Sequence, residues 1–190
     1  MDTREGWLNR AALALAPTFA SDNMPELPRL RVSTGFPSTG RRGKRIGECW
    51  PAAASADQSR EIFIAPQLGA EEALGVLAHE MCHAYLEAKG HGKEFRKLAL
   101  AVGLTPPMRA TGVSAELKER LHALSSELGP WPGAPLDLGL TDRKKQSARQ
   151  LLVQCAICGY RARVARKWLD VGPPYCGTVE HGPMSEAESE

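Results

Sequence analysis

His79, Glu80 and His83 lie within one five-residue stretch, and His91 follows eight residues after His83. Residues four apart on a helix share a face, so His79 and His83 can reach one metal ion while Glu80 turns toward the position left for water. Three imidazoles, an open fourth position and an adjacent carboxylate together make a hydrolytic zinc site. His91 requires a bend, because on a continuous helix it would sit about 12 Å beyond His83. Gly90 is expected to supply that bend by closing the helix in a left-handed conformation, with a second helix starting near Lys93. Glu87 and Glu94 are second choices for the third ligand, and His122 reads as a surface residue of a later helix.

The surroundings sharpen this reading. Leu74, Leu77, Ala78, Met81, Cys82, Ala84 and Leu86 make the helix apolar, and burying two histidines and a glutamate there without a partner is costly. A metal ion is the simplest partner, and the run His79-Glu80-Met81-Cys82-His83 has the H-E-x-x-H form. Glu80 is then the general base. No oxyanion partner is evident; Tyr85 is the one candidate on the same helix, and it falls on another face. Cys82 reads as a small buried residue, whereas Cys49 either packs in the core or lines the cleft.

A second constellation lies near the C-terminus. Cys155 and Cys158 form a metal knuckle, and Cys176 with His181 supplies a second pair, although its spacing is longer than the usual two residues. Four ligands close the shell, so this zinc is expected to fold a segment too short for its own core. Lys144, Lys145, Arg161, Arg163, Arg166 and Lys167 surround Trp168 and Tyr160. Cations interleaved with aromatics can hold phosphates and stack on bases, which points to nucleic acid, single-stranded above all; the alternative is an ordinary solvated surface. Arg41, Arg42, Lys44 and Arg45 form a second basic cluster with the same two readings.

The elements that must position these groups follow from periodicity and punctuation. Trp7, Leu8, Ala11, Ala12 and Leu15 fall at helical spacing within residues 3–16. Strands are expected at 30–35, 45–50 and 61–65, followed by helices at 70–89, 93–102 and 114–128. Ser114 is the expected N-cap of the last helix. The run Gly129-Pro130-Trp131-Pro132-Gly133-Ala134-Pro135 reads as the start of a linker. The fold class is therefore α+β, with a main domain over 1–128, a linker over 129–147, a small metal-bearing domain over 148–184 and an acidic tail, expected to be frayed, over 185–190.

The chain has 190 residues, 43% hydrophobic and 24% charged, enough for one ordinary core and a satellite domain. Asp2, Glu5 and Pro17 argue against a secretory leader, and no stretch is long enough to span a membrane. Five cysteines suit metal binding in a reducing compartment better than a disulfide framework. The cytoplasm is the expected location and a monomer the expected state.

The run 77–83, then His91-Gly92, Phe95 and Val102-Gly103-Leu104, resembles the SprT-like metallopeptidases, whose relatives include the Spartan DNA–protein crosslink proteases. The resemblance covers roughly residues 5–125. It implies a zincin-like peptidase domain with the 61–65 strand beside the cleft, His79, His83 and His91 on zinc and Glu80 as base, acting on a protein or peptide. The segment from Lys144 through Cys155, Cys158, Arg166-Lys167-Trp168 and Cys176 looks like the zinc ribbon that follows this domain in bacterial and phage members. Two zinc ions are thus implied, one catalytic and one structural. The competing class is a catalytically silent zinc-containing nucleic-acid-binding or scaffold protein, and a third is a zinc hydrolase of non-peptide amides.

Overall fold

The computed structural model describes residues 2–19, 26–87, 90–139 and 150–187. It is a mixed α+β chain of two compact units, Met1–Leu140 and Thr141–Glu190. Lys144 and Lys145 lie outside the described residues.

The first unit begins with α1 (Arg4–Phe19), which buries Trp7, Leu8, Ala11, Ala12, Leu15 and Phe19 along one side. It runs past the expected end, through Pro17. The carbonyl left without a donor by the proline belongs to Leu13, on the exposed side, where water can serve it. Continuing the helix brings Phe19 onto the core, stacked on Tyr85 with ring centroids 5.0 Å apart. Each fully buried large apolar side chain of this kind contributes about 1.5–3 kcal/mol.

Three strands follow: β1 (Leu30–Thr34), β2 (Gly47–Trp50) and β3 (Arg60–Ile64). Their spatial order is β1-β3-β2, with β1 parallel and β2 antiparallel to β3. The strand expected beside the cleft, β3, is therefore the central one, paired on both sides. Ile62 and Ile64 are wholly buried on it, as a strand covered by neighbours requires. The strand that borders the cleft is β2.

Helix α2 (Ala70–Tyr85) carries the polar trio, and buried residues fall nearly all round it. A helix apolar on every side belongs in the interior, and α2 packs against α1, β2 and β3 and, farther along the chain, α3 (Lys93–Ala101) and α4 (Ala115–Leu128). Between α3 and α4 a two-residue ladder joins β4 (Leu104–Thr105) to β5 (Gly112–Val113). Ser114 caps α4 as expected, its Oγ accepting from the Leu117 amide at 3.2 Å. Residues 129–139, read from composition as the start of a linker, are docked on this unit, with 129–134 against α1. Trp131 meets Trp7 edge-to-face at 4.9 Å, Trp7 Nε1 donates to the Gly129 carbonyl, and Arg4 donates to the Pro132 and Pro66 carbonyls.

The second unit is a three-stranded sheet, β7-β6-β8, formed by β6 (Gln150–Gln154), β7 (Arg161–Ala165) and β8 (Ser185–Glu186), with a single turn of helix, α5 (Arg166–Leu169), after β7. Ser185 and Glu186, expected in a frayed tail, pair with Gln154 and Val153. Val153 and Met184 are buried beside Cys155 and Cys176, a core of four residues. No helix among the described residues is long and apolar enough to cross a membrane.

Candidate active site

His79 and His83 stand one turn apart on α2, and His91 reaches them from the connection to α3. The His91 Nε2 atom lies 3.2 Å from Nε2 of His79 and 3.2 Å from Nε2 of His83. Tetrahedral zinc with bonds of about 2.0–2.1 Å places its donors about 3.3 Å apart, so these three nitrogens fit that ion. Beneath them sits Phe95 of α3, almost wholly buried, with its ring centroid 5.0, 4.4 and 4.8 Å from the rings of His79, His83 and His91. One aromatic side chain thus supports all three imidazoles.

Helix α2 stops at Tyr85, and Glu87, with φ of 56°, is a left-handed residue in the connection to His91. A non-glycine residue accepts this conformation at some cost, here against an ion pair between Glu87 and Arg60, the first residue of β3. Glu87 is thereby occupied away from the histidines. Gly92, in extended backbone, then starts α3 by accepting the Arg96 amide. His122 is on the exposed side of α4, with Nδ1 2.8 Å from Glu71.

Glu80 is one of two buried polar residues in the described chain, only 6% exposed. Gly47 of β2 passes directly over it: a Cβ there would lie 2.6 Å from Glu80 Oε1 and 2.4 Å from Val76 Cγ1. Burial, then the neighbouring Glu48, pushes the Glu80 carboxyl up to about 8, partly offset by Arg45 and the Cys49 backbone amide. Glu48 is itself held by Ser38, by Arg45 at 2.7 Å and by Trp50 Nε1 at 3.1 Å. Burial and the like charges of His83 and His91 push His79 down to about 3, so its ring is neutral, as a metal ligand must be. His91 is lowered too, by burial first and then by Arg109 and Arg45.

These groups open into a cleft of about 1290 Å³, lined by β2, α2, the His91 turn and the loop from Arg109 to Thr111. Cys49 meets both of its readings, lining the cleft while packing against the core, and its burial pushes the thiol up to about 12. Lys44, Arg45 and Arg109 supply its positive charge. Tyr85 takes no part: its ring is stacked on Phe19 in the core. Thr111, which the sequence did not single out, places its Oγ1 2.8 Å from His79 Nδ1. No local motif marks it, since it lies thirty-two residues away across a loop.

In the second unit Cys155, Cys158, Cys176 and His181 converge. Cys155 Sγ and Cys176 Sγ lie 3.7 and 3.6 Å from His181 Nδ1, and Cys158 Sγ lies 3.5 Å from Cys176 Sγ. Tetrahedral zinc with Zn–S bonds of about 2.3 Å calls for donor separations in this range. The long spacing is absorbed by a 3-10 turn at Val179–His181, closed by Gly182 with φ of 74°. Arg161 and Arg163 share the outward face of β7, and Trp168 is 60% exposed with Lys167 over its ring. Arg161 donates to Gln154 and Arg166 pairs with Glu186, so these two cations are partly engaged within the unit.

No curated protein and no solved structure matches the chain. A family model does, the SprT-like family, over residues 18–119, a span that holds all three histidines, Glu80, Phe95 and Thr111. The match covers more than half of the chain, which therefore belongs to the SprT-like family, a group with a metallopeptidase-like domain.

Proposed function

We propose that this protein is a zinc-dependent endopeptidase with a zincin-like catalytic unit and a zinc ribbon. The observation that carries the reading is the convergence of His79, His83 and His91, with the His91 Nε2 3.2 Å from the Nε2 of each of the other two, beside a buried carboxylate that faces the same cleft. His79, His83 and His91 would hold the zinc, which would supply Lewis acidity toward a water and a scissile carbonyl. Glu80 accepts the water's proton and returns it to the leaving amine. Positive charge at the histidines favours the ionised form of Glu80 that this role needs, against the burial that disfavours it. The free edge of β2 offers backbone groups to an extended peptide, a role closed to β3 by its pairing on both sides.

Cys155, Cys158, Cys176 and His181 would hold a second, structural zinc, which would stabilise a unit whose described residues bury a core of only four side chains. Arg161, Arg163, Arg166, Lys167 and Trp168, with Lys144 and Lys145 beyond the described residues, form a surface for single-stranded DNA, which would bring the peptidase to nucleic-acid-associated proteins. Exposed Tyr160 and Tyr175 add stacking surface in the same unit. A cytoplasmic monomer fits this reading.

The test compares zinc-loaded protein and its Glu80→Gln variant on a DNA-bound protein substrate, with and without single-stranded DNA. The variant should keep its zinc and lose cleavage by about 10²-fold or more. Equal cleavage by the two proteins would remove Glu80 from the chemistry. DNA binding without any cleavage by wild type would favour the silent binding protein.

A further inference from the structure

His79 uses both ring nitrogens. Nε2 faces the Nε2 of His91 at 3.2 Å, and Nδ1 lies 2.8 Å from Thr111 Oγ1. A threonine hydroxyl can donate or accept, so two arrangements satisfy the second contact. If the hydroxyl donated, the ring proton would sit on Nε2 and point into the space where the three imidazoles converge, covering the lone pair. If the hydroxyl accepts, the proton sits on Nδ1 and the Nε2 lone pair is free to bind a cation. Only the second arrangement is compatible with three nitrogens directed at one ion.

The hydroxyl is held in place by structure rather than by chance proximity. Thr111 immediately precedes β5, whose Gly112 pairs with Thr105 and whose Val113 pairs with Leu104. Val113 in turn rests on Gly75, where a Cβ would lie 3.6 Å from Val113 Cγ1. Gly75 stands one turn before His79 on the same face of α2. The hairpin is therefore seated on the helix one turn upstream, and the residue that precedes β5 reaches His79. At the other end of the loop, the Ala110 amide donates to the Pro107 carbonyl at 2.9 Å.

We propose that Thr111 is a positioning residue, which accepts a hydrogen bond from His79 Nδ1 and so fixes the tautomer and the ring plane that present Nε2 to the metal. This rests on the metal-site reading above, but its first consequence concerns the metal-free protein. A neutral hydroxyl sets orientation without adding the negative charge that a carboxylate partner would bring to the ligand.

The experiment records long-range ¹H–¹⁵N spectra of the histidine rings in the full chain, first metal-free and then during zinc titration. His79 resonances report occupancy of this site independently of the cysteine cluster. Wild type should show the proton on Nδ1. Thr111→Val, of equal size, should lose that preference and weaken zinc at His79 by about 10- to 100-fold, and Thr111→Ser should restore both. Wild type with the proton on Nε2 overturns the proposal whether or not any variant folds. So does a folded Thr111→Val protein with the proton still on Nδ1 and zinc affinity within about twofold of wild type. A wild type that shows the Nδ1 proton, and loses it in Thr111→Val, yet binds no zinc at His79 supports the Thr111 contact and overturns the metal-site reading instead.

Discussion

Gly47 and Glu80 meet so closely that a single methyl group on the strand residue would overlap the carboxylate, 2.6 Å from its Oε1, and collide with Val76 Cγ1 at 2.4 Å. Gly47→Ala must therefore push either β2 or the Glu80 side chain aside. The expected cost is about 1–3 kcal/mol in unfolding free energy together with at least a tenfold fall in turnover. Zinc at the histidines should stay bound, because none of them is on β2. Urea unfolding, zinc content and turnover measured on the same preparation check all three.

The buried carboxyl of Glu80 also gives a pH signature. In the metal-free protein it holds its proton up to about 8, whereas the unfolded chain ionises it near 4.5. Its contribution to stability is thus fully present below 4.5 and is lost as pH rises through about 8. His79 works in the opposite sense: its folded value of about 3 lies below 6.5, so its contribution is present above 6.5 and fades as pH falls. Between about 6.5 and 8, Glu80 alone of this pair drives the change. Metal-free wild type should lose stability relative to Glu80→Gln across that window, since other groups cancel in the difference. Zinc should flatten the slope. Parallel curves for the two metal-free proteins would contradict the burial argument.

Two independent donor sets predict separable metal counts. The full chain should carry about two zinc ions, His83→Ala about one, and Cys158→Ser about one. The cysteine variant should also lose protection from hydrogen exchange in β6 and β7, whose own core is four residues. Retention of two equivalents by His83→Ala would place the first ion elsewhere.

Ser114 tests the local physics of α4 at a residue that belongs to neither donor set. Its Oγ accepts from the Leu117 amide, and Ser114→Ala should cost about 1 kcal/mol, a few degrees in Tm, with zinc content and turnover unchanged. A threonine at this position should recover most of the loss.

What the sequence disclosed and what it hid divide along physical lines. His79, Glu80 and His83 were legible because helical periodicity alone puts them together, and Ser114 because an N-cap is a local signal. Glu87 is left-handed in the connection to His91, and its ion pair with Arg60 is a long-range contact that no local rule contains. Thr111 and the seating of Gly47 on Glu80 were hidden for the same reason, since each depends on how a loop or strand docks onto α2. Periodicity predicts a helix over 70–89, whereas α2 ends at Tyr85, because apolar Leu86 continues the pattern after the backbone has turned. The packing of Trp131 on Trp7 was concealed by composition, which sees only the prolines and glycines around it. His181 was within reach, though its six-residue segment hid the 3-10 turn that brings Nδ1 to the sulfurs.

The most direct test of the central claim is anomalous diffraction at the zinc edge from crystals of the zinc-loaded protein. The three-histidine account predicts a peak about 2.1 Å from each Nε2 of His79, His83 and His91, with the Glu80 carboxylate facing the same cleft. Zinc bound without His91, its ring turned to bulk solvent, would contradict it, as would a zinc peak confined to the cysteine cluster.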